Sequence, residues 1–314
     1  MARAIVHTEL GSPDVLHLVE VPDPVAGPGE VVVQIEAAGV NPIDIKQRAG
    51  IRPLPPITEP RHVGFDGAGT ITAVGEDVTG FAIGDRVAIG DTRGTYATAL
   101  AVPVQNMTRL LDEVTSAEGA ALSIPVGTAY QCLRSLGVKK GDTLLVHAGS
   151  GSVGQAAVQF AVIWGATVIA TASPERHDQV RALGAIPVAY GDGLTERVRA
   201  AAPQGVDVAL DCAGTDEAIQ TSLDLVPDRE RIATIVRGPD AADFGIRAFS
   251  GGSPIPLTEQ ELEWRREAVG VAVNLIEAGD FQIELGPELP LAEAARAHEL
   301  IEQHAASGKI ILRP

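Results

Sequence analysis

The chain is poor in the residues that would hold it together covalently or through metal. Two cysteines in 314 residues, Cys132 and Cys212, are too few for a disulfide framework. The seven histidines form no H-E-x-x-H or similar ligand spacing. Aromatics make up 4 %, so a core must be built from the Ala, Val, Ile and Leu within the 45 % of hydrophobic residues. Positive charge is also short. Against 41 Asp and Glu stand 24 Lys and Arg, a net charge of −17. Such a surface repels phosphate backbones and argues against nucleic-acid binding. No basic run suits an anionic membrane. No apolar run reaches the ~18 residues of a membrane span, and MARAIVHTELGSPD lacks the apolar region of a signal peptide. The expectation is a soluble, cytoplasmic protein with neither nucleic-acid nor membrane partners. Single cores stop growing near ~250–300 residues, so two domains are expected.

What the chain does have is the stretch TLLVHAGSGSVG, from Thr143 to Gly154. Leu144, Leu145 and Val146 form a short apolar run of the kind that makes a strand buried on both faces. Gly149-Ser150-Gly151-Ser152-Val153-Gly154 then spells G-x-G-x-x-G, and Ala, Val and Phe follow at helical spacing to Trp164. This order of parts suits a dinucleotide. The turn needs glycine, the pyrophosphate needs bare backbone N–H groups, and the helix must pack on its own strand without bulk. The helix start adds free amides and the positive end of its dipole. In a chain with 34 glycines the plainer reading is an ordinary turn; the strand before and the helix after it favour the cofactor.

Residues 1 to about 117 read as short strands cut by turn residues, with Arg3–Val6, Leu16–Val21 and Glu30–Ala37 the clearest. From Gly64 to Gly90, glycines at 64, 67, 69, 75, 80, 84 and 90 separate β-branched residues, as in a small all-β barrel or sandwich. No helical period is visible there. The pattern changes near Ser116, with helices over Ala117–Ala121 and Thr128–Leu136. Strands then alternate with helices: Thr167–Thr171, a helix from Pro174 capped by Ser173 and ended by Gly184, Ile186–Tyr190, a helix near Thr195–Ala201, Val206–Asp211, a helix from Asp216, and Ile232–Val236. This alternation predicts right-handed crossovers and a parallel, doubly wound α/β sheet, with Ile246–Ser250 as a further strand. A helix over Thr258–Gly279, another over Leu291–His304 and a strand Lys309–Leu312 complete the chain; that strand is expected to return to the first domain.

Seven stretches together resemble the medium-chain dehydrogenase/reductase superfamily, and within it the zinc-free quinone oxidoreductase (zeta-crystallin-like) branch. They are GVNPIDIKQRAG (39–50), VGFDGAGTITAVGEDVTGFAIGDRVAIG (63–90), GTYATALAVP (94–103), AALSIPVGTAYQCL (120–133), LLVHAGSGSVGQAAVQFA (144–161), DCAG (211–214) and GKIIL (308–312). The resemblance covers essentially the whole chain. It implies a GroES-like β-rich catalytic domain made of residues 1–117 and 257–314, a Rossmann domain at 118–256, and an active cleft at their junction. The superfamily's alcohol dehydrogenases hold zinc with Cys, His or Glu. Here Asn41 stands at the cysteine position, Gly64-Phe65-Asp66 stands in place of G-H-E, and the four-cysteine lobe is absent. An amide and a phenyl ring cannot supply zinc's donors, so no metal is expected.

Without a Lewis acid, hydride transfer calls for an acceptor that already delocalises negative charge, such as a quinone or an enone. The resemblance implies the same chemistry, an NADPH-dependent oxidoreductase. By position in the family's motifs, Asn41 and Asp44 line the nicotinamide end and Thr128 contacts the carboxamide. Plainer readings stand beside these: Asn41 as a turn residue before Pro42, Asp44 as a local cap, Asp66 as a buried structural carboxylate. No Ser/His/Asp array is visible, and a water or the ribose hydroxyls could donate the proton. An NAD enzyme places Asp or Glu about 20 residues past the glycines. Here Ala172-Ser173 stand there, followed by Arg176, as in relatives that bind the NADPH 2′-phosphate; Tyr190 matches a tyrosine after the third strand. Arg176 also reads as a solvated helix charge. Lys309 reads either as a pyrophosphate contact or as a surface lysine. The cofactor contacts expected are thus Gly149, Gly151, Ser152, Val153, Gly154, Ser173, Arg176, Tyr190 and Lys309. Further readings are an enoyl reductase tailoring a specialised metabolite or thioester, and an NADPH-binding sensor or structural protein without turnover. The family resemblance and the edge strand at Ile246–Ser250 imply a homodimer.

Overall fold

The computed structural model describes the chain except for residues 53, 250–252 and 254. It divides into two compact units, Pro125–Ala268 and the combination of Met1–Ile124 with Val269–Pro314.

The Pro125–Ala268 unit is built on a parallel sheet. Among the described residues its strands lie in the order Ile186–Ala189, Thr167–Ala172, Thr143–His147, Val208–Asp211, Ile232–Thr234, Arg247–Ala248. The chain therefore starts in the middle, winds out one way, then returns and winds out the other, which is the doubly wound Rossmann order. Thr143–His147 is flanked on both sides and buried at every residue, as its apolar run requires. Leu145, Ile169 and Ala209 from the sheet pack with Leu194, Val198 and Ile219 from the helices to form the core. The helix expected from Pro174 opens as a tight turn, Pro174–Arg176, and continues as His177–Ala182. Gly184 follows it with φ +91°, a left-handed conformation that glycine takes without strain. Ser250, the end of the last expected strand, lies outside the described residues.

The other unit is β-rich. Its long strand Glu30–Gly39 pairs antiparallel with Asp66–Val74 on one side. It also pairs with Ala99–Pro103 along its first half and with Lys309–Arg313 at Ala38 and Gly39. The C-terminal strand does return to the first part of the chain. Val31, Val33, Ile35, Ile71, Val87 and Ile89 alternate inward to make one core. Ile5, Val63, Tyr96, Leu291 and Ile310 belong to a second.

Two elements of this unit were not foreseen. A helix, Pro42–Arg48, interrupts the strands. Its seven residues are too few to display a helical period, and it rests on local chemistry instead. Proline stands at its first position, and the Asp44 carboxylate reaches back to the Asn41 N–H. The strand Leu285–Pro290, with sequence LGPELP, lacks alternation and carries two prolines, yet it pairs in parallel with Lys309–Arg313 at the sheet edge.

Candidate active site

The glycine turn of the Rossmann unit is built as its sequence demands. The left-handed residue of the turn is Ala148, φ +57°, whose N–H is held by the Thr171 hydroxyl at 3.0 Å. Gly149 donates its N–H to the Thr171 carbonyl at 2.8 Å, and a Cβ here would come within 2.5 Å of the Ala170 methyl. At Gly154 a Cβ would lie 2.2 Å from the Ala148 carbonyl oxygen. Those two glycines are therefore required by the protein's own packing. Gly151 differs. It is exposed, and a Cβ there would meet only the Ala148 oxygen at 3.5 Å. It caps the helix Ser152–Ile163, whose first amides, at Ser152 and Val153, have no carbonyl a turn earlier to bond. An open glycine, free amides and a helix start fit a pyrophosphate.

Past the second strand the expected 2′-phosphate residues stand in one segment. Ser173 precedes the turn and its hydroxyl hydrogen-bonds the Glu175 carboxylate, while Arg176 closes the turn. Tyr190, after the third strand, is 60 % exposed. Thr128 sits within the helix Ser123–Ser135, nearly buried.

In the β-rich unit the sheet register assembles a buried polar cluster. Asp66 lies opposite Gly39 on one neighbouring strand, and Ile311 lies opposite Gly39 on the other. Asn41 is two residues beyond Gly39 and Lys309 two before Ile311, so the three side chains converge. A Cβ at position 39 would strike the Ala120 oxygen at 1.9 Å and the Lys309 Cε at 2.7 Å, which leaves only glycine. The Lys309 ammonium donates to Asp66 Oδ2 at 2.9 Å and to Asn41 Oδ1. Asn41 Nδ2 donates to the same Asp66 oxygen at 3.0 Å, and the Ile124 N–H reaches Asp66 Oδ1 at 2.9 Å. The surface-lysine reading of Lys309 is thereby corrected: the residue is 3 % exposed and bonded to Asn41 and Asp66 inside its own unit. Asp66 is the buried structural carboxylate its position suggested, and Asn41 is much more than a turn residue.

Asp44 stands beside this cluster. Its Oδ2 accepts from the Asn41 N–H at 2.9 Å and from the Tyr96 hydroxyl at 3.0 Å, while its buried Oδ1 has no partner. Burial, with the Asp66 charge nearby, raises its carboxyl to about 7, against the pull of the Asn41 amide, Lys309 and Tyr96. Burial and the Asp44 charge in turn push the Tyr96 phenol up. The Tyr96 oxygen lies 3.5 Å from His298 Nε2, and burial holds that imidazole neutral, at about 3. Tyr96 and His298 were not identified from sequence. Tyr96 is one of only three tyrosines and follows Gly94-Thr95 in a strand-rich region, a faint signal that a buried hydroxyl waits there.

A catalytic zinc does not fit this place. The Asn41 amide is committed on both sides to Lys309 and Asp66, and Phe65 stands at the next motif position. Among the described residues no group of three or more His, Cys, Asp or Glu could hold a metal ion. Cys132 is buried, its thiol pushed up to about 12 by burial, and so is inert. No helix of the described residues is long and apolar enough to cross a membrane.

Comparison with known proteins agrees with this geometry. Residues 27–112 match the alcohol dehydrogenase GroES-like domain, and residues 183–312 match a zinc-binding dehydrogenase model. The second description refers to the wider superfamily, whose metal donors this chain lacks. The quinone oxidoreductase of Pseudomonas aeruginosa is 31 % identical over 332 residues, covering all of both chains. A mycobacterial protein solved with NADPH superposes with a TM-score of 0.84 at 30 % identity, again over both whole chains. The Escherichia coli quinone oxidoreductase, also solved with NADPH, gives 0.84 at 26 % identity over both whole chains. The chain belongs to the zinc-free quinone oxidoreductase branch of the medium-chain dehydrogenase/reductase superfamily.

Proposed function

We propose that the chain is an NADPH-dependent, zinc-independent oxidoreductase that reduces quinones, with activated double bonds as a related acceptor class. The single observation that carries this is the open glycine, Gly151, at the helix start of the Rossmann unit; within the β-rich unit, the polar cluster around Asn41 has donors that do not suit zinc. Bound NADPH supplies the hydride. Gly149 and Gly154 shape the turn, Gly151 leaves room for close approach, and the amides of Ser152 and Val153 hold the pyrophosphate. Ser173, Arg176 and Tyr190 take the 2′-phosphate, where an NAD enzyme would carry an acidic residue. Asn41, Asp44 and Thr128 line the reacting end. Lys309 serves there by fixing the Asn41 amide and neutralising Asp66, which supports Asn41 rather than a phosphate. Asp44 holds a proton near neutral pH and passes it to the reduced acceptor. Relatives of this family solved with NADPH support the cofactor.

We also place the protein in the cytoplasm and read it as a homodimer joined along the sheet edge at Arg247–Ala248. A light-scattering mass of one chain at micromolar concentration would refute the dimer. The function is tested by following NADPH oxidation with a quinone, an enone, an aliphatic aldehyde and the matching alcohols. Quinone turnover should lead. An aldehyde or alcohol turned over fastest would overturn the reading, and NADPH binding without any turnover would leave a sensor or structural protein.

A further inference from the structure

The β-rich unit holds a cavity of about 410 Å³ walled by Ile57 and Leu100 and by Arg61, His62 and Arg93. Two of its walls, His62 and Arg93, also bound a second, much smaller space that Asp44 and Phe65 line. The larger cavity therefore opens beside the site proposed for the acceptor. Its charge is unusual for a chain of net −17. Arg61 donates to the Pro55 carbonyl at 2.6 Å, and Arg93 lies over the Phe65 ring at 5.0 Å. Among the described residues neither guanidinium forms an ion pair. Glu59, the one carboxylate on the cavity wall, pairs with neither.

The two arginines, on the wall of one cavity, also repel each other. Arg93 is disfavoured in its charged form first by desolvation and then by Arg61, with only Asp44 opposing. His7, which also lines the smaller space, lies in the same field: burial lowers it against the pull of the Glu9 carbonyl, and Arg61, Arg93 and Arg48 lower it further. Burial also lowers His62, so neither imidazole adds a competing positive charge at neutral pH. Arg48 is already neutralised by Glu302. What remains is a pair of like charges with no ion-pair partner in contact, above apolar walls, at a space large enough for a small molecule. A planar anion accepted by two guanidinium forks relieves that repulsion, and a carboxylate matches their geometry.

We propose that the physiological acceptor carries a carboxylate, bound in this cavity by Arg61 and Arg93 with its ring directed toward Asp44. This rests on the quinone reductase reading above and narrows it to acidic substrates. Phe65 fixes the height of Arg93 through its ring face, and the Pro55 carbonyl fixes Arg61, so both forks are set before substrate arrives.

The test uses a naphthoquinone bearing a propanoate side chain and its methyl ester, which share a ring and differ in one charge. The wild-type protein with NADPH should prefer the acid in kcat/KM by about tenfold or more, although its overall charge would repel an acid. Arg93→Gln and Arg61→Gln should each lower the acid-to-ester ratio about ten- to a hundredfold, the range of one charged hydrogen bond. High salt should shrink the preference. Equal use of acid and ester by the wild-type protein overturns the proposal while leaving quinone reduction intact. An acid preference that survives both substitutions overturns it as well. Failure to reduce either quinone overturns the functional reading itself and this inference with it.

Discussion

Lys309 and Asp66 form an ion pair of 2.9 Å between side chains 3 % and 1 % exposed, joined by the Asn41 amide that binds both. Two charges so far from water are tolerated because they bond each other and share the Asn41 amide, with the Ile124 N–H on the second Asp66 oxygen. Removing one leaves the other a buried charge with neutral hydrogen-bond partners only. Lys309→Met should therefore cost about 3–5 kcal/mol in urea unfolding, the usual penalty for breaking a buried pair from one side. Adding Asp66→Asn to that variant should recover a large part of the loss. A cost below about 1 kcal/mol for the single variant would place the pair with weak surface bridges and contradict the burial.

How much of this was legible beforehand depends on the range of the interactions. The strand–glycine–helix turn is local, so the sequence at 143–164 displayed it whole, and the alternation after Ser116 displayed the parallel sheet. The Asn41 cluster is not local. Lys309 lies 268 residues from Asn41, and the two meet only because both flank Gly39 through the register of three strands. Family motifs pointed to Asn41 and Asp44, but nothing in them indicated Lys309 as a partner, and a buried lysine looks like a surface one until its neighbours are known. Tyr96 and His298 were missed for the same reason. The helix Pro42–Arg48 was missed because capping, not periodicity, defines it.

The three glycines of the turn separate packing from binding. Gly154→Ala puts a methyl 2.2 Å from a backbone oxygen, which cannot move aside as a side chain can. Overpacking of this kind costs about 1–3 kcal/mol, and the thermal midpoint should fall. Gly151→Ala meets only one atom, at 3.5 Å, so its melting should be nearly unchanged. Its NADPH affinity should nonetheless drop at least tenfold, because the methyl occupies the space the pyrophosphate needs. Fluorescence titration with NADPH measures the second effect. Equal affinity in Gly151→Ala and wild type would remove this turn from the cofactor site.

Arg176 closes the turn after Ser173, at the place where the missing acidic residue would bind a ribose diol. A charged hydrogen bond is worth about 1.5–3 kcal/mol, or roughly a ten- to hundredfold change in affinity. Arg176→Ala should weaken NADPH by that factor and leave NADH nearly as it was. Parallel losses for both nucleotides would give the arginine a different role.

With Asp44 as the proton source proposed above, chemistry and stability depend on pH in the same direction. Its carboxyl is raised from an ordinary 3.8 to about 7 in the folded protein, chiefly by burial. Between those values the folded state binds a proton that the unfolded chain has released. The folded state gains fully from this group below about 4, and the gain is lost as pH rises through about 7. Stability should therefore decline across that interval and level off above it, each unit of separation being worth about 1.4 kcal/mol. Turnover should follow the protonated form, with kcat for quinone reduction falling above about pH 7. Asp44→Asn keeps the size of the side chain and cannot titrate, so both slopes should flatten together, and kcat should fall about tenfold or more near neutral pH because the proton source is gone. Urea midpoints and kcat, each measured from pH 5 to 9 in both proteins, decide the matter. If the variant keeps the alkaline fall in kcat, another group supplies the proton; if it loses only the stability slope, Asp44 is a buried structural acid that happens to lie beside the reacting end.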